Sequence, residues 1–159
     1  MRLYDDLASW WHLLSPPANH AWEPAERSYD RLQPEPLATV PEASIAAAAA
    51  ALTNGKRTAI VVGSGALREG PLTLAGRIAA GCNATLLCET FPVRVERGAG
   101  RVPFARIPYF AEQAIEFLKD FEQMILIGTQ QPVAFFAYPG VASLLAPPDC
   151  AMLTLADVH

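Results

Sequence analysis

The chain has 159 residues, 52% of them hydrophobic and 18% charged, with a formal charge of -4 at pH 7. That length suits one domain with a full core. The acidic balance argues against nucleic acid as the main partner, and no apolar run approaches the roughly 20 residues of a membrane span.

Residue types narrow the chemistry further. Cys82, Cys88 and Cys150 form no CxxC and cannot pair off evenly. Cys82 and Cys88 sit among apolar neighbours and read as small core residues of a reducing compartment, which points to the cytoplasm. His12, His20 and His159 are scattered without ligand spacing, so no metal site is expected. Asp5 and Asp6 stand where the apolar stretch of a signal peptide would form.

Residues 1–40 read as an amphipathic helix followed by a proline-rich linker, and residues 41–159 as an α/β domain. Leu3, Leu7, Trp10, Trp11 and Leu14 fall on one helical face, and Pro16-Pro17 ends the helix. Two uses of that stripe stay open: packing on the body of the same chain, or docking a second subunit. Two adjacent tryptophans and a high apolar fraction favour a homo-oligomer through these residues. Pro24, Pro34 and Pro36 mark the linker.

Pro41 opens a helix through Ala43, Ile45, the run Ala46 to Ala51, and Leu52, with Gly55 just past its end. Ile45 and Leu52 are its expected anchors. Thr58-Ala59-Ile60-Val61-Val62 is a β-branched, apolar run without alternation, as a strand covered on both faces requires. It runs into Gly63-Ser64-Gly65. Gly55 and Lys56 precede the strand, so they are not a phosphate loop. A helix over Pro71–Ala80, a stop at Gly81 and a strand over Ala84–Cys88 complete a strand–turn–helix–strand unit.

Glu89 to Pro108 is a long connection carrying Arg94, Arg97, Arg101 and Arg106. It reads as a solvated rim or a former contact with a neighbouring domain, with an anion site as the rival. A helix follows over Phe110–Leu118, with Ala114, Phe117 and Leu118 expected inward. Met124–Ile127 is the next buried strand, ending at Gly128. Thr129 to Gly140 is irregular and holds Phe135, Phe136 and Tyr138, either an edge strand or the lining of a partner surface. Ala151–Leu155 is the last strand. Strands alternating with helices at this pitch give a Rossmann-like, three-layer domain with a mostly parallel sheet.

In such sheets ligands sit beyond the carboxyl ends of the strands. The candidate binding residues are therefore Gly63, Ser64, Gly65, Glu89, Thr90 and Gly128. Backbone N–H groups there favour an anion, and an acid at the end of the second strand can meet a ribose hydroxyl. The bland alternative is a plain turn beside a solvated glutamate. The next glycine is Gly70, off the spacing of the dinucleotide fingerprint. No nucleophile is paired with a base in a recognisable motif, and no catalytic residue is assigned.

One family resemblance spans about Pro17 to Leu155. It is carried by Ile60-Val61-Val62-Gly63-Ser64-Gly65-Ala66-Leu67-Arg68-Glu69 and Leu86-Leu87-Cys88-Glu89-Thr90-Phe91-Pro92-Val93-Arg94. It continues in Glu96-Arg97-Gly98-Ala99-Gly100, Arg106-Ile107-Pro108-Tyr109-Phe110, Ile125-Leu126-Ile127-Gly128 and Phe135-Phe136-Ala137-Tyr138-Pro139-Gly140. In order and spacing these stretches resemble the central domain of thiamine-diphosphate-dependent enzymes of the acetolactate synthase type.

The resemblance implies a sheet of about six strands. It also implies 2-oxo acid decarboxylation and carboligation in the parent enzymes, whose flanking domains supply the catalytic glutamate and bind thiamine diphosphate and magnesium through a Gly-Asp-Gly motif. No Gly-Asp-Gly occurs in this chain. The chain is therefore expected to be non-catalytic by itself, with a structural or nucleotide-binding role. Central domains of the family hold FAD, ADP or nothing. FAD holders tend to carry an Arg-Phe-Asp-Asp type motif where this chain reads Gly128-Thr129-Gln130-Gln131-Pro132, which argues against FAD. A stand-alone nucleotide-binding or regulatory module is the rival reading. A third comes from Leu3-Tyr4-Asp5-Asp6-Leu7-Ala8 with Trp10-Trp11, which resembles the start of some class I methyltransferases.

Overall fold

Thr58–Val62 form β1, and all five of its residues are buried. In the computed structural model of the chain, residues 40–156 are described, apart from Glu96, Ala137 and Tyr138. They lie in one unit, Val40–His159. The stripe of Leu3, Leu7, Trp10, Trp11 and Leu14, the proline-rich linker and the three histidines fall outside the described residues.

The elements run in the order α1 (Glu42–Thr53), β1, a 3-10 turn (Ser64–Leu67), α2 (Glu69–Gly81), β2 (Thr85–Cys88), β3 (Ala105–Arg106), α3 (Ala111–Leu118), β4 (Gln123–Ile127) and β5 (Ala151–Ala156). The sheet order is β3-β2-β1-β4-β5, and every strand pairing is parallel. Ile60 sits in register with Leu86 on one side and Ile125 on the other.

Period-2 alternation splits β1 between two cores. Ala59 and Val61 join Leu87, Met124 and Leu126 against Ala111, Ala114 and Leu118 of α3. Ile60 and Val62 join Leu86 and Cys88 against Leu72, Ala75 and Ala79 of α2. Both helices thus bury residues at i, i+3 and i+7, one on each face of the sheet. Each large side chain buried this way stabilises the fold by about 1.5–3 kcal/mol.

Four expectations need correction. The sheet has five strands among the described residues, not about six. Ile45 is 53% exposed, and it is Ala48 that α1 buries. Leu52, the other expected anchor, is partly buried against the second core. Phe117 is 38% exposed, while Ala111, Ala114 and Leu118 define the buried face of α3. The segment Thr129–Gly140 forms no strand among its described residues beyond a single antiparallel bridge between Val133 and Leu144.

The long connection after β2 is tied down by packing. Val102 lies against Gly76 of α2, so closely that a Cβ on Gly76 would fall 2.5 Å from its Cγ1. At its end the connection supplies β3, whose two residues pair with Leu87 and Cys88.

Candidate functional site

The chain leaves β1 outward through α2 to β2 and β3, then crosses the other face through α3 to β4. The order therefore reverses between β1 and β4, and a crevice opens beyond their carboxyl ends. Gly63 and Gly128 stand there. The Gly63 amide donates to the Ile127 carbonyl at 3.0 Å, prolonging the ladder past β1. Gly63 is extended, at φ -140 and ψ 177, so space rather than conformation selects glycine here. A Cβ on it would fall 2.6 Å from the Gly128 carbonyl oxygen, 2.8 Å from Glu89 Oε1 and 2.8 Å from the Thr129 Cβ. Gly128, at φ +62, makes the left-handed turn that releases the chain from β4.

Glu89 is held from two sides. Its amide donates to the Val62 carbonyl at 3.3 Å. Its Oε2 accepts from Thr129 Oγ1 at 3.4 Å. Of the six expected binding residues, Gly63, Glu89 and Gly128 converge on one point, and Thr90 lines the cleft beside them. Ser64 and Gly65 belong to the 3-10 turn, and a Cβ on Gly65 would touch nothing within 4 Å. That turn separates the glycines from the start of α2. Glu69 occupies the first turn of α2 and pairs with Arg101 at 3.0 Å.

The cleft measures about 340 Å³. Val61 and Ile107 contribute to its lining, Glu89, Thr90, Thr129 and Gln130 are polar, and Phe91, Tyr109 and Phe135 add rings. Its described lining residues include one carboxylate and no basic side chain. The rings belong to a larger cluster. Phe91 meets Phe135 at 4.8 Å and Tyr109 at 5.6 Å, and Phe136 and Phe110 extend the contact. Sequence reasoning passed over Phe91 and Tyr109 as site residues. A signal was present: Phe91 follows the end of β2 by three residues, and Tyr109 follows the end of β3 by three.

The four arginines of the long connection are exposed and none lines this cleft. The Arg97 guanidinium lies 4.7 Å from the Phe104 ring centre. Arg106 lines an adjoining recess with Thr90, Phe91 and Tyr109. Burial pushes the Cys88 thiol up, against the lowering effect of Arg97 and Arg106. A buried thiol held protonated is a poor nucleophile. Among the described residues no three His, Cys, Asp or Glu side chains gather as a metal site would need.

No family model and no solved structure matches the chain. A Mycobacterium tuberculosis (strain H37Rv) protein named "Putative acetolactate synthase large subunit IlvX" is 42% identical to it over 109 residues. The chain has a relative of the acetolactate synthase large-subunit type. The alignment takes in 69% of this chain but 21% of that protein, so the chain spans about a fifth of the length of the curated relative it matches.

Proposed function

We propose that this chain is a central-type domain of an acetolactate-synthase-like, thiamine-diphosphate-dependent 2-oxo acid decarboxylase or carboligase, structural rather than catalytic by itself. The observation that carries the reading is the relative, matched over about a fifth of its length by a chain whose sheet has the order β3-β2-β1-β4-β5. The parent chemistry in this reading removes carbon dioxide from a 2-oxo acid and transfers the remaining fragment.

The lining of the crevice supports the non-catalytic part. Among its described residues it offers hydroxyls, amides, rings and one carboxylate, and that carboxylate is engaged by the Thr129 hydroxyl and packed against Gly63. These residues do not fit a magnesium-bound diphosphate, which needs several oxygen donors around the metal. They fit the diphosphate of FAD or ADP no better, because Glu89 stands against Gly63 and no basic side chain is among the described residues of the cleft. No step is therefore assigned to this chain.

The test has two arms. Purified chain given pyruvate, thiamine diphosphate and magnesium is expected to show no turnover above a no-protein control; turnover would end the proposal. A thermal-shift series with FAD, ADP, NAD, S-adenosylmethionine and thiamine diphosphate is expected to leave the melting temperature unchanged. Stabilisation by ADP, FAD or NAD alone would move the reading to a nucleotide-binding module, and by S-adenosylmethionine to a methyltransferase.

The homo-oligomer belongs to the same proposal and rests on the sequence of the N-terminal stripe. The double substitution Trp10→Ala, Trp11→Ala is expected to reduce the mass seen in light scattering. A wild-type chain that stays monomeric when concentrated would refute it.

A further inference from the structure

We infer that the carboxyl ends of β2 and β3 hold a site for a small aryl carboxylate, its carboxylate on the guanidinium of Arg106 and its ring against Phe91, Tyr109 and Phe135. The site is independent of the parent chemistry proposed above.

Two adjoining spaces make it. A recess of about 400 Å³ is lined by Thr90, Phe91, Arg106, Ile107, Pro108 and Tyr109. Thr90, Phe91, Ile107 and Tyr109 also line the cleft of about 340 Å³. Spaces that share these walls lie side by side, and a ligand slightly longer than one ring reaches into both. Each is of a size ordinary for small-molecule sites.

The two spaces differ in character. The recess brings the cation. Arg106 is paired in register with Cys88, and the amide of Ile107 donates to the Cys88 carbonyl at 3.0 Å. The ladder thus fixes the root of the guanidinium at the end of the sheet. Ion pairs of the described residues join Arg57 to Asp120, Arg101 to Glu69 and Lys119 to Glu116, and Arg106 takes no part in them. A guanidinium fork matches a carboxylate through two parallel N–H bonds. The Thr90 hydroxyl lines the same recess. Glu89 is not needed to hold the ligand. It is engaged by Thr129 and fills the space beside Gly63, so the inner end offers no seat for a second anionic group.

The cleft brings the rings. Phe91, Tyr109 and Phe135 are 53%, 40% and 62% exposed. Phe91 meets Tyr109 edge to face at 5.6 Å and Phe135 at 4.8 Å. Exposed apolar surface gathered around a hollow marks a binding site. An arene extends the array of tilted contacts, whereas an aliphatic ring of similar area gains burial alone.

The test uses hydrocinnamate as the probe, followed by amide NMR shifts on the full chain at neutral pH and matched ionic strength. Saturable shifts are expected at Thr90, Phe91, Arg106, Tyr109 and Phe135. Hydrocinnamamide, the uncharged isostere, is expected to bind about tenfold more weakly, as loss of a charged partner for the guanidinium requires. Cyclohexanepropanoate is expected to bind about three- to tenfold more weakly, and propanoate more weakly still. In Arg106→Gln the acid should lose its advantage over the amide. In Phe135→Ala the acid should keep that advantage while both bind about three- to tenfold more weakly. Both side chains are exposed, so neither change is expected to disturb the fold. Equal binding of acid and amide to the wild-type chain would overturn the proposal, as would propanoate matching hydrocinnamate. Absence of saturable shifts, or shifts confined to another face, would also end it. So would tighter binding of AMP at the same residues, because the hollow would then be a nucleotide site.

Discussion

The carbonyl oxygen of Gly128 lies 2.6 Å from the place where a Cβ on Gly63 would stand. The carboxyl ends of β1 and β4 therefore meet without room for a single methyl group. Glu89 and Thr129 close the same gap from the sides. The crevice is built from residues that also lock the central strands together.

Gly63→Ala is thus expected to destabilise the fold by about 1–3 kcal/mol, the cost of overpacking a site whose neighbours include backbone. Gly65→Ala, where a Cβ meets nothing within 4 Å, is expected to stay within about 0.5 kcal/mol of wild type. Denaturant titration of both variants checks this. Equal effects would show that the close approach at Gly63 carries no weight.

Gln123 joins α1 to the sheet. Only 5% of it is exposed. Its Nε2, with two hydrogens to give, lies within donating reach of the Ala51 carbonyl, Thr58 Oγ1 and Asn54 Oδ1, and its Oε1 accepts from Asn54 Nδ2 at 3.0 Å. Gln123→Leu strips partners from buried acceptors and is expected to cost about 1–3 kcal/mol. Hydrogen exchange should rise first in the last turn of α1. A leucine variant as stable as wild type would show that the amide network is dispensable.

Neighbours on α3 should differ sharply. Leu118 is fully buried. Leu118→Ala is expected to cost about 2–5 kcal/mol through the cavity it leaves. Phe117→Ser is expected to cost about 1 kcal/mol or less, since its ring lies near solvent. Melting temperatures rank the two, and the reverse order would place Phe117 in the core.

Two buried thiols set the alkaline behaviour. Burial raises both Cys88 and Cys150 above their ordinary value of 9.0. A raised thiol favours the folded state while it stays protonated. Their stabilisation is therefore full below that ordinary value and is lost as pH rises through the folded values. The double variant Cys88→Ala, Cys150→Ala is expected to melt lower at neutral pH but to lose less on going to about pH 10.5. Parallel profiles would show that neither thiol ionises on unfolding in this range.

How far the sequence disclosed this molecule varies by element. β1 was visible because Thr58–Val62 is apolar without alternation, and only a strand covered on both faces tolerates that. β3 was not visible, since Ala105 and Arg106 are both exposed and owe their strand geometry to Leu87 and Cys88 beside them. The buried face of α1 could not be read from a run of identical alanines, which carries no period. Gly63, Glu89 and Gly128 were legible as strand ends of one parallel sheet. The ring cluster was not, because Phe91, Tyr109 and Phe135 come from three separate connections and meet only in the fold.

The parallel order of the sheet also sets the sequence of events during folding. No two of the described strands can zip from a tight hairpin, because each parallel pairing must wait for its crossover. The link through α2 brings β1 to β2 over a shorter stretch of chain than the link that brings β1 to β4. Shorter loops close at lower entropic cost. In pulse-labelling during refolding, the amides of Leu86 and Leu87 should therefore gain protection before those of Ile125 and Leu126. The crevice, which needs β4 in place, would be among the last features to form.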